Sequence, residues 1–315
     1  MPLSQSQPRS MFLSLPPELL LQIYKSFTNI RDALSLSHTC NTTRPLFARP
    51  KNRISIIKAI ISNIPSTLPN PNTPPSTEWL HSHFPRGLFF KPPREYIPER
   101  IKDEKTRSFL MDTGFPSFTV KTRSEALRFD SRALRWKFTR GIPWQATERF
   151  DDGIDVEVAT PSGIDGLETE IENQAESVTV EPAPAPEPEI LSPDDRRFLY
   201  DLGCFACGSD DTPVVLDARG RVREAWDEFG VLARCAGSFL VILAVLKGVA
   251  EGMEMCVDFE QLHGGTGGVE YGDWDDGLRE ICALLLGVVR GVDGFAASSE
   301  FWAWTVQSME EVWIG

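Results

Sequence analysis

Residues 13–47, LSLPPELLLQIYKSFTNIRDALSLSHTCNTTRPLF, hold the most decisive pattern in the chain. Pro16 and Pro17 stand where a helix can begin without losing a needed N–H, and Leu19, Leu20, Ile23, Tyr24 and Phe27 then recur at helical spacing. Asn29 or Asp32 can cap a second helix, with Ala33, Leu36 and Cys40 on one face and Leu34 beside it, until Pro45 forbids continuation. Ile54, Ile57 and Ile61, flanked by Ile56 and Ile60, predict a third, closed at Pro65. Helices this short are marginal alone in water, and together they carry more apolar side chains than so small a unit can hide. The surplus needs a cover, which is either a partner protein or, if the segment is a plain helical hairpin, the domain that follows.

Leu15-Pro16, Glu18-Leu19, Ile23, Asp32-Ala33-Leu34 with Leu36, and Thr39-Cys40 leading to Arg44 and Leu46 resemble an F-box, in the form common in filamentous fungi. Asn41, Thr42 and Thr43 stand where that family often has a tryptophan. The resemblance implies a three-helix unit that docks on a Skp-type adaptor and so joins a cullin ubiquitin ligase. It further implies that Leu15, Pro16, Leu19, Ile23, Leu34 and Leu36 form the adaptor-facing surface.

With 315 residues, 41% of them hydrophobic, the chain can build one large or two modest cores. The longest apolar run, Cys235 to Leu246, is bounded by Arg234 and Lys247 and falls well short of the roughly 20 residues that span a membrane. Pro16 and Pro17 break the apolar stretch after Arg9, and no small-residue cleavage site follows, so a secretory signal is not expected. Cys40, Cys204, Cys207, Cys235, Cys256 and Cys282 are irregularly spaced and fit a reducing compartment, cytoplasm or nucleus. The net charge of −13 divides unevenly: residues 1–141 hold 22 Lys and Arg against 10 Asp and Glu, and the remainder holds 10 against 35. The acidic rear suits a basic protein target and not nucleic acid, although solubility alone would also account for it.

Proline recurs from Pro65 to Pro98, so residues 63–101 read as a stiff linker without persistent helix or central strand; Trp79, Phe84, Leu88, Phe89 and Phe90 lay its second part on a neighbour. Thr106 to Leu110 reads as a helix stopped at Gly114, and Phe115-Pro116-Ser117 as a turn into a strand at Phe118 to Val120. Leu134, Trp136 and Phe138 alternate as in a half-buried strand. Residues 151–192 contain no Lys or Arg and many Asp and Glu, the composition of a disordered insertion. Arg197 to Leu202 suggests a helix end or short strand, and Pro213 to Asp217 with Arg221 to Trp226 a hairpin turning at Gly220. Ser238 caps an all-round apolar helix through Leu246, followed by helices over 278–289 and 299–312, the last with Trp302, Val306, Met309 and Trp313 in one stripe. The Thr106 to Leu110 helix with Gly114-Phe115-Pro116, the Val214 to Val222 hairpin and the Gly237 to Leu240 helix start resemble, in that order, the SUKH superfamily. That resemblance, over residues 102 to about 252 in two pieces, implies an α+β fold that binds proteins.

Chemistry-bearing patterns are sparse. Cys204 and Cys207 have the CxxC spacing of zinc or dithiol sites but no second pair, and the acidic residues downstream oppose a thiolate. His81 and His83 lack completing ligands. The Gly264 to Gly268 loop lacks a phosphate-loop lysine, and Asp273, Asp275 and Asp276 miss calcium-loop spacing. No histidine stands with a Ser or Cys partner as a triad would require.

These readings predict an α+β chain: an F-box-like helical domain over 13–62, a proline-rich linker over 63–101, and a target-binding module over 102–315 interrupted at 151–192. The expected function is a non-catalytic substrate adaptor of a Skp-cullin-F-box ligase, without cofactor, metal, membrane or nucleic acid. Its protein target would meet Asp210, Asp211, Asp273, Asp275 and Asp276. The alternatives are a SUKH-like scaffold acting outside a ligase, or a redox or metal enzyme using Cys204 and Cys207.

Overall fold

Pro17 does open the first helix: in the computed structural model α1 spans Pro17–Lys25. The residues described are 15–39, 41–70, 75–84, 89–121, 126–131, 199–207, 210–225, 230–263 and 271–314. The strand expected near Trp136, the insertion expected at 151–192 and the glycine loop at 264–268 lie outside them.

Helix α2 runs Ile30–Thr39, with Asn29 Oδ1 accepting from the Arg31 N–H at 2.8 Å. Its buried residues are Ile30, Ala33, Leu34 and Ser37: Ala33 and its neighbour Leu34 lie inward as expected, Leu36 is only half-buried, and Cys40 lies outside the described residues. The buried Ser37 hydroxyl donates to the Leu34 carbonyl at 2.6 Å, which removes the cost of placing it inside. Helix α2 stops at Thr39, six residues short of Pro45, which sits instead in the first turn of a short α3, Arg44–Ala48, where a missing N–H costs nothing. Helix α4, Pro50–Asn63, buries Ile56, Ile57, Ile60 and Ile61. Asn63 Nδ2 donates to the Lys25 and Phe27 carbonyls and ties the end of α4 to the end of α1, while Tyr24 donates to the Thr43 carbonyl at 3.1 Å.

The proline-rich stretch is more ordered than its composition predicts. The segment after Ser76 is free of proline, and its hydroxyl accepts from the Trp79 N–H to start α5, Thr77–His83. Phe89–Phe90 forms β1, pairing antiparallel with β2, Phe115–Pro116, so Phe115-Pro116 is a strand where a turn was expected. Leu80, Phe84, Ile97 and Ile101 are buried, so this stretch packs as part of the protein. Helix α6, Glu104–Asp112, is capped by Asp103 and stops before Gly114, whose φ is +75°.

Six strands then form one antiparallel meander in chain order: β3 Phe118–Lys121, β4 Ala126–Asp130, β5 Leu199–Cys207, β6 Asp210–Asp217, β7 Val222–Glu224 and β8 Val231–Ala233. The turn from β6 to β7 passes through Gly220 at φ +75°, as its sequence predicts. Helix α7, Ala236–His263, crosses the inner face, with Phe239 edge-on to Phe129 at 5.6 Å. Cys235, one residue before α7, accepts through Sγ from the Ser238 N–H at 3.5 Å, so the capping position is Cys235 and Ser238 lies in the first turn. Helices α8, Tyr271–Val292, α9, Gly294–Ser298, and α10, Glu300–Ile314, complete the fold. Trp302, Val306, Met309 and Trp313 of α10 are all buried, and the Trp302 indole N–H donates to the Leu232 carbonyl at 2.8 Å. The chain is α+β, and one continuous buried cluster runs from Tyr24 to Trp313. No helix among the described residues is long and apolar enough to cross a membrane.

The helical head therefore rests on the C-terminal helices. Ile30 meets α7 at Gly252 and Ile54 meets α8 at Gly277. Phe47 and His38 each stand edge-on to Phe259 at 5.4 Å, and the Arg53 guanidinium lies 4.5 Å over the Trp274 ring. Lys58 pairs with Glu280.

Candidate functional site

The head turns one apolar edge outward. On α1 the inward residues Leu20 and Tyr24 are buried, while Leu19, between them and the solvent, is 50% exposed. Ile23 stands one helical turn after Leu19 and Leu15 just precedes the Pro16 cap; both are half-buried, and Pro16 is exposed. Among large apolar residues described, only Leu19, Met255 and Phe295 are exposed. Leu36 on α2 is half-buried against the core. Leu34 departs from the expected adaptor-facing set: it is completely buried among the chain's own residues. Its position i+4 from Ile30 places it on the side of α2 that meets the core, so of the expected set Leu15, Pro16, Leu19 and Ile23 reach the outer edge, while Leu36 packs partly against the core.

The five aspartates expected to meet a target fall in two places. Asp210 and Asp211 are the first two residues of β6. Asp211 pairs with Arg128 of β4, Oδ2 lying 2.7 Å from the guanidinium. Asp273, Asp275 and Asp276 fall in the first two turns of α8, where the carboxylates of Asp275 and Asp276 complement the helix dipole. Asp276 also holds Arg279 at 2.8 Å, and Arg279 reaches Glu310 of α10 at 3.7 Å. Two of the five charges are thus paired with arginines of the same chain.

Cys204 and Cys207 lie three residues apart on β5 with no bulge between them, and an odd spacing on a strand sends side chains to opposite faces. Cys207 is buried, its thiol donating to the Thr305 carbonyl at 3.6 Å. Cys204 is on the other face, where burial, and then the carboxylates of Asp211, Asp201 and Asp130, push its pKa up against the opposing pull of Arg128. The two sulfurs do not converge as a dithiol or a chelate. His81 and His83 diverge as well: His83 stacks on Trp79 at 4.0 Å while His81 stands edge-on to Phe89 at 4.9 Å. No cluster of three metal-ligating side chains occurs among the described residues.

Sequence reading missed a groove of about 220 Å³ between the turn at Pro65, Leu68 and Pro69 and helices α7 and α8, floored by Gly287, Val288 and Gly291. The signal for it is the pair of glycines four residues apart in α8, each weakening the helix by about 1 kcal/mol. Comparison of the chain with family models, with curated proteins and with solved structures finds no match in any of the three.

Proposed function

We propose that this protein is a non-catalytic substrate adaptor of a Skp-cullin-F-box ubiquitin ligase. Its helical head docks on a Skp-type adaptor, and its α+β module presents a protein target. The observation that supports the reading is the uncovered stripe on α1: Leu19 is half exposed and Leu15 and Ile23 are only half-buried, whereas Tyr24, Ile30, Leu34, Phe47, Ile56, Ile57, Ile60 and Ile61 of the head lie in the buried cluster shared with α7 and α8. A leucine left in water forgoes about 1.5 to 3 kcal/mol of burial, which a docking partner would recover. The stripe coincides with the Leu15-Pro16 and Glu18-Leu19 pairs on which the F-box resemblance rests.

The test is binding of the full chain to a purified Skp-type adaptor, with Leu19 and Ile23 changed to Ala together as the comparison. The double variant should bind at least about a hundredfold more weakly, since two truncated contacts of this kind sum to roughly 3 kcal/mol. No binding by the wild type, or equal binding by both, would sink the proposal. Capture of the adaptor without a cullin would favour the SUKH-like scaffold reading instead.

A further inference from the structure

The head that displays the α1 stripe is strongly basic. Over residues 15–67 it carries Lys25, Arg31, Arg44, Arg49, Lys51, Arg53 and Lys58 against only Glu18 and Asp32. Arg53 is buried over Trp274, and Lys58 is committed to Glu280 of α8. Lys25, Arg31, Arg44 and Arg49 form no ion pair with any carboxylate among the described residues. Lys25 is the last residue of α1, two residues past Ile23, Arg31 is the second residue of α2, and Arg44 and Arg49 bracket α3, whose Phe47 packs on Tyr24 at 5.8 Å. An apolar edge set in a predominantly basic surface, here seven basic side chains against Glu18 and Asp32, selects partners in two ways: the edge supplies contact area, and the net charge speeds encounter with an opposite surface and repels a like one.

We infer that the surface which covers Leu15, Leu19 and Ile23 is an apolar groove rimmed by carboxylates, and that Lys25, Arg31 and Arg49 steer it into place. The inference rests on the docking reading proposed above and adds the chemistry of the partner's face. Salt screens such steering over about 10 Å at 0.1 M, so the charge acts mainly on the rate of association and the leucines mainly on the rate of dissociation.

The experiment measures association and dissociation rates of the full chain with a purified Skp-type adaptor at about 20 and about 200 mM salt. Three proteins are compared: the wild type, a variant with Lys25, Arg31 and Arg49 all changed to Gln, and the Leu19→Ala variant. Circular dichroism confirms that each is folded. The wild-type association rate should fall at least about tenfold across that salt range, with dissociation changing less than about twofold. The Gln variant should associate slowly at both salts, and Leu19→Ala should keep the salt dependence while dissociating faster. Binding whose association rate ignores both salt and the Gln changes overturns this inference and leaves the docking proposal standing. Absence of binding at low salt overturns both.

Discussion

Ile30 presses on Gly252 so closely that a Cβ added at residue 252 would lie 2.6 Å from the Cβ of the isoleucine. The Ile30 Cβ is fixed to its helix backbone and cannot swing aside, so α2 would have to retreat from α7. Gly252→Ala would gain about 1 kcal/mol of helix propensity and lose about 1 to 3 kcal/mol to overpacking, and the expected result is a net loss in denaturant unfolding. Gly277 provides a milder case: its added Cβ would meet Ile54 Cδ1, Cγ1 and Cγ2 at 2.5, 2.8 and 3.0 Å, and these lie further out on the side chain than the Cβ of Ile30, so a change of rotamer can relieve them without moving the helix. Gly277→Ala should stay within about 1 kcal/mol of the wild type. Equal effects of the two alanines would show that the head does not sit on α7 as described.

The same contact bears on how the chain can be divided. Removing residues 1–62 would strip the cover from Gly252, Phe259 and Gly277 on α7 and α8 and expose Trp274, which loses Arg53. The remainder, 63–315, should aggregate or lose near-ultraviolet circular dichroism when expressed alone. A monomeric fragment with a sharp unfolding transition would contradict this.

Much of this fold is legible in the residues, and the parts that are not have identifiable causes. Helices α1, α4 and α10 follow from apolar spacing, and α7 from a run with no polar side. The β6–β7 turn follows from Gly220. β5 was under-read because its register shifts between Asp201 and Gly203, which breaks the two-residue alternation that marks a strand. On α2 the sequence points to Ala33 and Leu34 but not to Ser37, because a serine counts against burial until its bond to Leu34 is seen. Above all, an apolar surplus reads the same in sequence whether its cover is another protein or a helix some 200 residues further on. Most of the head's surplus has the second cause, and the α1 stripe is the part left uncovered among the described residues.

His83 makes stability depend on acid. Burial lowers its pKa below the ordinary 6.5, Lys247 adds to that, and the bond to the Trp79 carbonyl at 2.8 Å opposes it. Lys247 is itself paired with Glu251 at 2.8 Å. A depressed folded-state value means that the contribution is complete above the unfolded value, about 6.5, and is lost as pH falls through the folded one. Melting temperature should therefore drop between about pH 7 and pH 5 more steeply in the wild type than in His83→Gln. Parallel profiles for the two proteins would remove His83 from the account.

The cysteines should differ in reactivity by their surroundings. Cys282 is buried and its pKa is pushed up to about 12, by burial first and then by Glu310, so it should resist thiol reagents in the folded protein. Cys204 is raised by burial and next by Asp211. Asp211→Asn removes one carboxylate and releases Arg128 to favour the thiolate, so labelling of Cys204 near pH 8 should quicken while Cys282 stays inert. Peptide mass spectrometry of pulse-labelled protein reads both, and a slower Cys204 in the variant would reverse the assignment of charges on that face of the sheet.

Leu19 and Leu34 belong to the same resemblance and should nevertheless behave oppositely. Leu34 has no exposed surface and sits in the cluster that joins the head to α7, so Leu34→Ala should cost about 2 to 5 kcal/mol of stability through lost burial and the cavity left behind. Leu19 is 50% exposed and faces away from Tyr24 and Leu20, so its truncation should change stability by about 0.5 kcal/mol or less. Docking would invert that order. At a temperature where both variants are folded, Leu34→Ala should keep near-normal affinity for a Skp-type adaptor, because its side chain never reaches the outer surface, and Leu19→Ala should lose about tenfold or more. Measuring unfolding free energy and affinity on the same two preparations separates the two roles. If Leu34→Ala lost affinity at full folding, α2 would have to rearrange on docking, and the buried position seen here would describe only the unbound chain.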